Sequence, residues 1–189
     1  IAMLSSIPHV DVYCLSCSEE AHELITQAIT EFSEKRKNNQ VPHSKIFFLG
    51  RENFPKSYGA KKYELGKAQV LKSQLKDKNV TIVTCGSLIG QALKASDLLA
   101  EKNVGSEVIN LHSLNSMDVK TIQESLAKSK GQLITVEDHQ KIGGMSQMLA
   151  AALSEVGVTF KMKIHAVDGH FGQSAYLADE LYEKHHLDA

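Results

Sequence analysis

The chain has 189 residues, 42% of them hydrophobic, and a formal net charge of −1. This length suffices for one large α/β domain, or for one domain with part of another. The near-zero charge, with basic residues spread along the chain, argues against a nucleic-acid-binding protein. No apolar run approaches the roughly 20 residues that span a bilayer. Three cysteines without a signal peptide favour a cytosolic, reducing compartment.

Strands and helices alternate along the chain. Apolar runs bounded by turn residues predict strands at 10–15, 45–49, about 66–71, 80–85, 108–111, 133–136 and 160–167. Apolar residues at helical spacing predict helices at 19–38, 88–101, 117–127, 144–155 and 174–186. Residues 1–7 have the pattern of the last turns of a helix. Since a protein seldom begins inside an element, we expect that the amino-terminal part of a longer polypeptide precedes them.

This alternation predicts a βαβ unit over residues 1–50 and then a doubly wound, mostly parallel sheet. The segment 160–167 alternates apolar and polar residues, which is typical of an edge or antiparallel strand. The lysine-rich residues 51–78 contain only one predicted strand and suggest an extended connection between domains. Ser18 and Ser116 are the predicted N-caps of their helices.

The segment VDVYCLSCSEE at 10–20 places Cys14 and Cys17 between a strand and a helix. Thiol–disulfide oxidoreductases hold a reactive pair at a helix N-terminus, where the pKa of a thiol is lowered. A zinc site would need two more ligands at a usable spacing, and Cys85 lies alone in another predicted domain. Because cysteine is an ordinary core residue, two incidental buried thiols are the favoured interpretation.

Three further segments lie where strands give way to loops. The acidic and imidazole groups of Glu137-Asp138-His139 follow a predicted parallel strand, where α/β folds place ligands. With no nucleophile nearby, a solvated or interface loop is the favoured interpretation. Gly86-Ser87 and Gly143-Gly144 could present backbone N–H groups to an anion, although tight turns explain them equally well.

Arg51 follows a strongly apolar strand at its carboxyl end, between Gly50 and Asn53. A guanidinium there could hold a phosphate or carboxylate through two N–H groups. An interdomain salt bridge is the alternative, and position alone favours neither.

Several segments together resemble the carboxyl-terminal third of the transketolases. They are IAMLSSIPHV at 1–10, FLGRENFP at 48–55, YELGKA at 63–68, NVTIVTCG at 79–86 and LITVEDH at 133–139 with its following glycine pair. YELGKA is also similar to a segment of the β subunits of 2-oxoacid dehydrogenases. The Val-Glu-Asp-His stretch favours transketolase, and the resemblance covers nearly the whole chain.

The resemblance implies a domain organisation. Residues 1–58 would end the pyrimidine-binding domain of a thiamine-diphosphate enzyme, 59–78 would connect the domains, and 79–189 would form the C-terminal domain. That domain would be a three-layer α/β structure around a mostly parallel five-stranded sheet with one antiparallel edge strand. Family members are homodimers, and a cytoplasmic location is expected.

The resemblance also implies an activity for the intact protein. It would transfer two-carbon ketol units between sugar phosphates in the pentose phosphate pathway, using thiamine diphosphate and Mg²⁺ or Ca²⁺. Arg51 aligns with an arginine that holds the substrate phosphate. No catalytic, cofactor-binding or metal-binding residue can be carried over, because the family places these upstream. The chain alone is expected to be non-catalytic and to serve as a scaffold at the dimer interface.

Two alternatives remain. The intact protein could be a 2-oxoacid dehydrogenase β subunit or a deoxyxylulose-phosphate synthase. The chain could also be a standalone, non-catalytic binding module that uses the loops at 86–87, 137–145 and 169–174.

Overall fold

The computed structural model describes residues 1–50, 54–60 and 62–189. The helices are α1 (Ala2–Ser5), α2 (Ser18–Lys37), α3 (Ile89–Glu101), α4 (Val119–Lys128), α5 (Met145–Glu155) and α6 (Ala178–Lys184). The strands are β1 (Val10–Cys14), β2 (Ser44–Phe48), β3 (Gln69–Gln74), β4 (Asn79–Thr84), β5 (Gly105–Asn110), β6 (Gln132–Gln140) and β7 (Lys161–Val167). A short 3₁₀ turn, Gly86–Leu88, precedes α3.

The first unit is a βαβ arrangement, as the sequence predicts. Strands β1 and β2 pair in parallel, with Val12 opposite Ile46, and α2 connects them. Two acidic residues in the first turn of α2 and the basic Lys35–Lys37 in its last turn complement the helix dipole. The N-cap is Cys17 and not the predicted Ser18, which is already the first helical residue.

The second unit contains a five-stranded sheet in the order β3-β5-β4-β6-β7. Strand β3 runs antiparallel to β5, and the remaining pairs are parallel, which confirms the predicted fold class. The antiparallel edge strand is therefore β3. Strand β7 lies at the opposite edge, as its alternating pattern indicates, but it is parallel to β6.

Successive residues of the central strand β4 point to opposite faces of this sheet. On one face Val83 packs with Ile122 of α4 and Leu149 of α5. On the other face Ile82 packs with Ala92 of α3. Helices thus cover both faces, and the sheet is the middle layer of three.

The two sheets are connected through β1. Tyr13 forms an antiparallel bridge with Ser113, and the Cys14 amide donates to the His112 carbonyl oxygen at 2.9 Å. The Asn115 side chain donates to the Val10 carbonyl oxygen and accepts from the amide two residues further along β1. Backbone and side-chain hydrogen bonds therefore hold β1 beside the segment that leaves β5.

Three predicted elements differ from those observed. Helix α4 begins at Val119, because Asp118, and not Ser116, caps it by accepting from the Thr121 amide at 3.3 Å. Strand β6 continues to Gln140, so the predicted loop at 137–139 is part of the strand. The last helix is only seven residues long, Ala178–Lys184. Within the described ranges, no helix has the length and apolarity that crossing a membrane requires.

Candidate functional site

A cleft of about 360 Å³ opens where the carboxyl ends of β1, β2 and β4 meet β6, and we call it the inter-sheet cleft. Its lining includes Cys14, Phe48, Leu49, Gly50, Cys85, Gly86, Ser87, Glu137, Asp138, His139 and Met145. Strand carboxyl ends are where open α/β sheets bind ligands. Two of the loops proposed from the sequence, at 86–87 and 137–145, therefore meet in one place.

The Cys-x-x-Cys thiols lie in different surroundings. Cys17 is fully buried, and its Sγ lies 3.3 Å from the Tyr63 hydroxyl oxygen. Cys14 is partly exposed and lines the inter-sheet cleft, as does Cys85. The interpretation as an incidental core thiol is confirmed for Cys17. Cys14 has Cys85, far away in sequence, as its thiol neighbour.

Gly86 makes the turn after β4 possible. Its φ is +63°, and a Cβ there would lie 2.6 Å from the Cys14 Sγ. Both the left-handed backbone and the close approach require glycine. The tight-turn interpretation of Gly86-Ser87 is confirmed by this geometry, which brings the turn directly against Cys14.

Glu137 is buried and stabilises the start of α5. Its carboxylate accepts from the Met145 amide at 2.6 Å and from the Ser146 amide at 3.1 Å. These amides are first-turn donors without helical partners, and the negative charge suits the positive end of the helix. A Cβ at Gly144 would overlap this carboxylate, which explains the glycine. The predicted solvated loop is therefore wrong for Glu137, whereas the neighbouring Asp138 is exposed.

Sequence reasoning missed a buried polar network between the two units. Glu20 is fully buried and accepts from the Ser16 amide at 2.6 Å, the Ser16 hydroxyl at 2.7 Å and the Asn110 side-chain amide at 2.7 Å. The Nδ1 atom of His112 lies 3.1 Å from the same carboxylate. Because 90 positions separate Glu20 from Asn110, no local pattern could have indicated this network.

Arg51, the predicted phosphate-binding residue, lies outside the described residues, as does Asn53 beside it. Its role stays a prediction. Its neighbour Gly50 lines the inter-sheet cleft. Over the described ranges, no three His, Cys, Asp or Glu side chains lie together in a way that could hold a metal ion.

Comparison with known proteins places this geometry in a family. Residues 66–189 match the family model described as transketolase, C-terminal domain. The chain belongs to the transketolase C-terminal domain family. The match includes all five strands of the larger sheet and two walls of the inter-sheet cleft.

Individual relatives of the transketolase family agree. Transketolase from Rattus norvegicus is 31% identical over 84% of this chain and 24% of its own length. The pyruvate dehydrogenase E1 component subunit beta-1 of Arabidopsis thaliana, a mitochondrial protein, is 30% identical over 84% of this chain and 42% of its own. A solved split-gene transketolase, described as an inactive β4 tetramer, superposes with a TM-score of 0.79 at 27% identity. That superposition covers 99% of this chain and 56% of the other.

The chain spans about a quarter of the length of the transketolases and transketolase-like proteins that it matches, 23% for transketolase-like protein 2 of Homo sapiens.

Proposed function

We propose that the intact protein is a thiamine-diphosphate-dependent transketolase, which transfers two-carbon ketol units between sugar phosphates. The observation that carries this proposal is the likeness to a split-gene transketolase over 99% of the chain. The family-model match over residues 66–189 and the transketolase-like run FLGRENFP at 48–55 support it. A homodimer in the cytoplasm, acting in the pentose phosphate pathway, is part of the proposal.

The described residues do not themselves fit thiamine diphosphate and its metal ion. A diphosphate–metal centre needs several oxygen ligands around Mg²⁺ or Ca²⁺. In the described part of the chain, no three His, Cys, Asp or Glu side chains form a cluster that could hold a metal ion. In the inter-sheet cleft the buried carboxylate Glu137 is already committed to the amides of α5. We therefore assign the cofactor and the reacting carbon atoms to other parts of the intact enzyme.

This chain's role would be to build the scaffold and to supply one anion-binding residue. Residues 1–58 would complete the pyrimidine-binding domain and include Arg51, which follows β2 in the sequence. Residues 59–78 would connect this domain to the C-terminal domain at 79–189. Bidentate hydrogen bonds from Arg51 would hold the phosphate of the sugar substrate and position its carbonyl end for reaction. The solved neighbour described as inactive supports a chain that is non-catalytic alone.

An exposed apolar surface on the first unit supports the proposal that the rest of the pyrimidine-binding domain packs against it. Ile29 and Phe32 of α2 are 66% and 51% exposed, and a groove of about 410 Å³ runs between α2 and β2. An isolated two-stranded sheet is at best marginally stable in water, and further strands or a packed helix stabilise it. In the proposal, the remaining strands of the pyrimidine-binding domain cover this surface.

The test is an assay of the full-length protein with thiamine diphosphate and Mg²⁺. Transfer of a ketol unit from xylulose phosphate to a ribose phosphate acceptor is expected, with no turnover of pyruvate. Turnover of pyruvate without ketol transfer would contradict the proposal.

A 2-oxoacid dehydrogenase β subunit is the second candidate, and the 30% identity to a pyruvate dehydrogenase subunit favours it specifically. Such a protein would act on pyruvate and feed a lipoyl-bearing partner. The same two-substrate assay separates transketolase from this candidate and from a deoxyxylulose-phosphate synthase, since both of these would consume pyruvate. A standalone binding module would show neither activity.

A further inference from the structure

Two thiols from different units meet in the inter-sheet cleft. Cys14 ends β1 of the first unit, and Cys85 directly follows β4 of the second. Both side chains line the cleft, and the Cys14 side chain is the first cause that raises the pKa of the Cys85 thiol. The turn at Gly86 brings its backbone against the Cys14 sulfur, which holds the two residues together. All three cysteines of the chain are free thiols.

We propose that Cys14 and Cys85 form an oxidisable pair, whose disulfide cross-links the two sheets. The site takes a low-molecular-weight disulfide, such as oxidised glutathione, as its oxidant. The proposal goes beyond the transketolase function and does not depend on it. The Cys-x-x-Cys spacing therefore suggests the wrong partner for Cys14, because Cys17 contacts Tyr63 in a separate buried cluster.

The order of the two steps follows from accessibility. Cys14 is partly exposed, whereas Cys85 is only 5% exposed. The hydrogen bond with Cys14 and burial raise the pKa of the Cys85 thiol, so that it keeps its proton. Cys14 is therefore the sulfur that a small disulfide reaches first.

The chemistry is ordinary thiol–disulfide exchange. The Cys14 thiolate attacks one sulfur of oxidised glutathione, which breaks that S–S bond and releases one glutathione thiolate. Cys85 attacks the Cys14 sulfur of the mixed disulfide and expels the second glutathione, whose sulfur takes up the Cys85 proton. The two protein thiols lose two electrons, and one oxidised glutathione becomes two thiols. In a reducing compartment the pair returns to the dithiol by the reverse steps.

The test is a peptide map of the reduced protein after exposure to oxidised glutathione under native conditions. The expected product joins the Cys14 and Cys85 peptides, while Cys17 stays a free thiol. The matched control Cys17→Ser should form the same cross-link, whereas Cys85→Ser should stop at a glutathione mixed disulfide on Cys14. Since the cross-link closes a loop of about 70 residues, the thermal midpoint should rise on oxidation and return with dithiothreitol.

A Cys14–Cys17 disulfide in that map would overturn the proposal. So would wild-type protein that stops at the mixed disulfide on Cys14, or that reacts no faster than Cys14→Ser. The wild-type map and the Cys17→Ser control decide the question even where Cys85→Ser fails to fold.

Discussion

Two buried carboxylates stabilise contacts between structural elements of the molecule. Glu137 stabilises the start of α5, and Glu20 joins the first unit to Asn110 at the end of β5. A buried charge is tolerated only when donors surround it, and both carboxylates receive several. Glu137, a candidate ligand-binding group in the sequence, is therefore committed to structure, and Arg51 stays the predicted ligand-binding residue.

Arg51→Ala in the full-length enzyme should raise the KM for phosphorylated substrates about 10- to 150-fold with folding largely unchanged. The lost interaction is a charge-assisted hydrogen bond worth roughly 1.5–3 kcal/mol, and each 1.4 kcal/mol is a factor of about ten. Steady-state kinetics with xylulose phosphate measure the KM, and thermal unfolding checks that the variant is folded. Lys56→Ala, which removes an exposed cation close to Arg51 in the sequence, is the matched control. Equal kinetics for Arg51→Ala and Lys56→Ala would remove the phosphate-binding role.

At the residue scale, the sequence indicated roles that depend on near neighbours. Gly86 as a tight turn is such a case. The sequence could not indicate the pairing of Cys14 with Cys85 or of Glu20 with Asn110, because those contacts exist only after the two sheets meet. The acidic Glu137 looked like a loop residue, since the need of α5 for an acceptor is invisible in the run LITVEDH.

At the scale of elements, one carboxylate of β5 links the edge strand β3 to helix α4. Glu107 of β5 accepts from the Ser73 hydroxyl of β3 at 2.8 Å and from the Lys128 ammonium of α4 at 3.0 Å. Burial opposes its ionisation, but these hydrogen bonds prevail and lower the pKa of Glu107 below its ordinary value. The charged form is therefore favoured by folding.

Acidification should remove the contribution of Glu107 to the free energy of unfolding. With a folded pKa below the unfolded value of about 4.3, Glu107 stabilises the protein fully above that pH. The contribution is lost as the pH falls through the lower folded pKa. Glu107→Gln should lower the free energy of unfolding by about 1–3 kcal/mol at pH 7. It should also flatten the decline in that free energy between about pH 5 and 3, the interval around the unfolded pKa.

Urea unfolding at several pH values measures this difference. Glu124→Gln, an exposed change on α4, is the control and should keep the wild-type decline. If Glu107→Gln lost stability as steeply as the control on acidification, the assignment to Glu107 would be wrong.

The elements themselves were largely predictable, and their ends were not. Helix and strand types follow from periodicity, which is a local property. The ends depend on contacts: Asp118 supplies the cap that Ser116 was expected to supply, and pairing with β7 extends β6 to Gln140. The direction of β3 depends on its partner β5, so the sequence of β3 alone could not establish it.

For the molecule as a whole, the family match was predictable because short motifs spread over the chain agree with one family. The division at 1–58, 59–78 and 79–189 stays a prediction. Strand β3, within the predicted connection, pairs with β5 of the larger sheet, and the family match begins at residue 66. These facts agree with our proposal that the chain is a scaffold with one anion-binding residue and that the cofactor chemistry lies elsewhere in the intact protein.

Titration calorimetry of the 189-residue chain with thiamine diphosphate and Mg²⁺ tests this claim most directly. Cooperative thermal unfolding of the same sample first establishes that the chain is folded. We expect no saturable heat from the chain and clear binding by the full-length protein under the same conditions. Saturable, magnesium-dependent binding of thiamine diphosphate to the chain alone would contradict it.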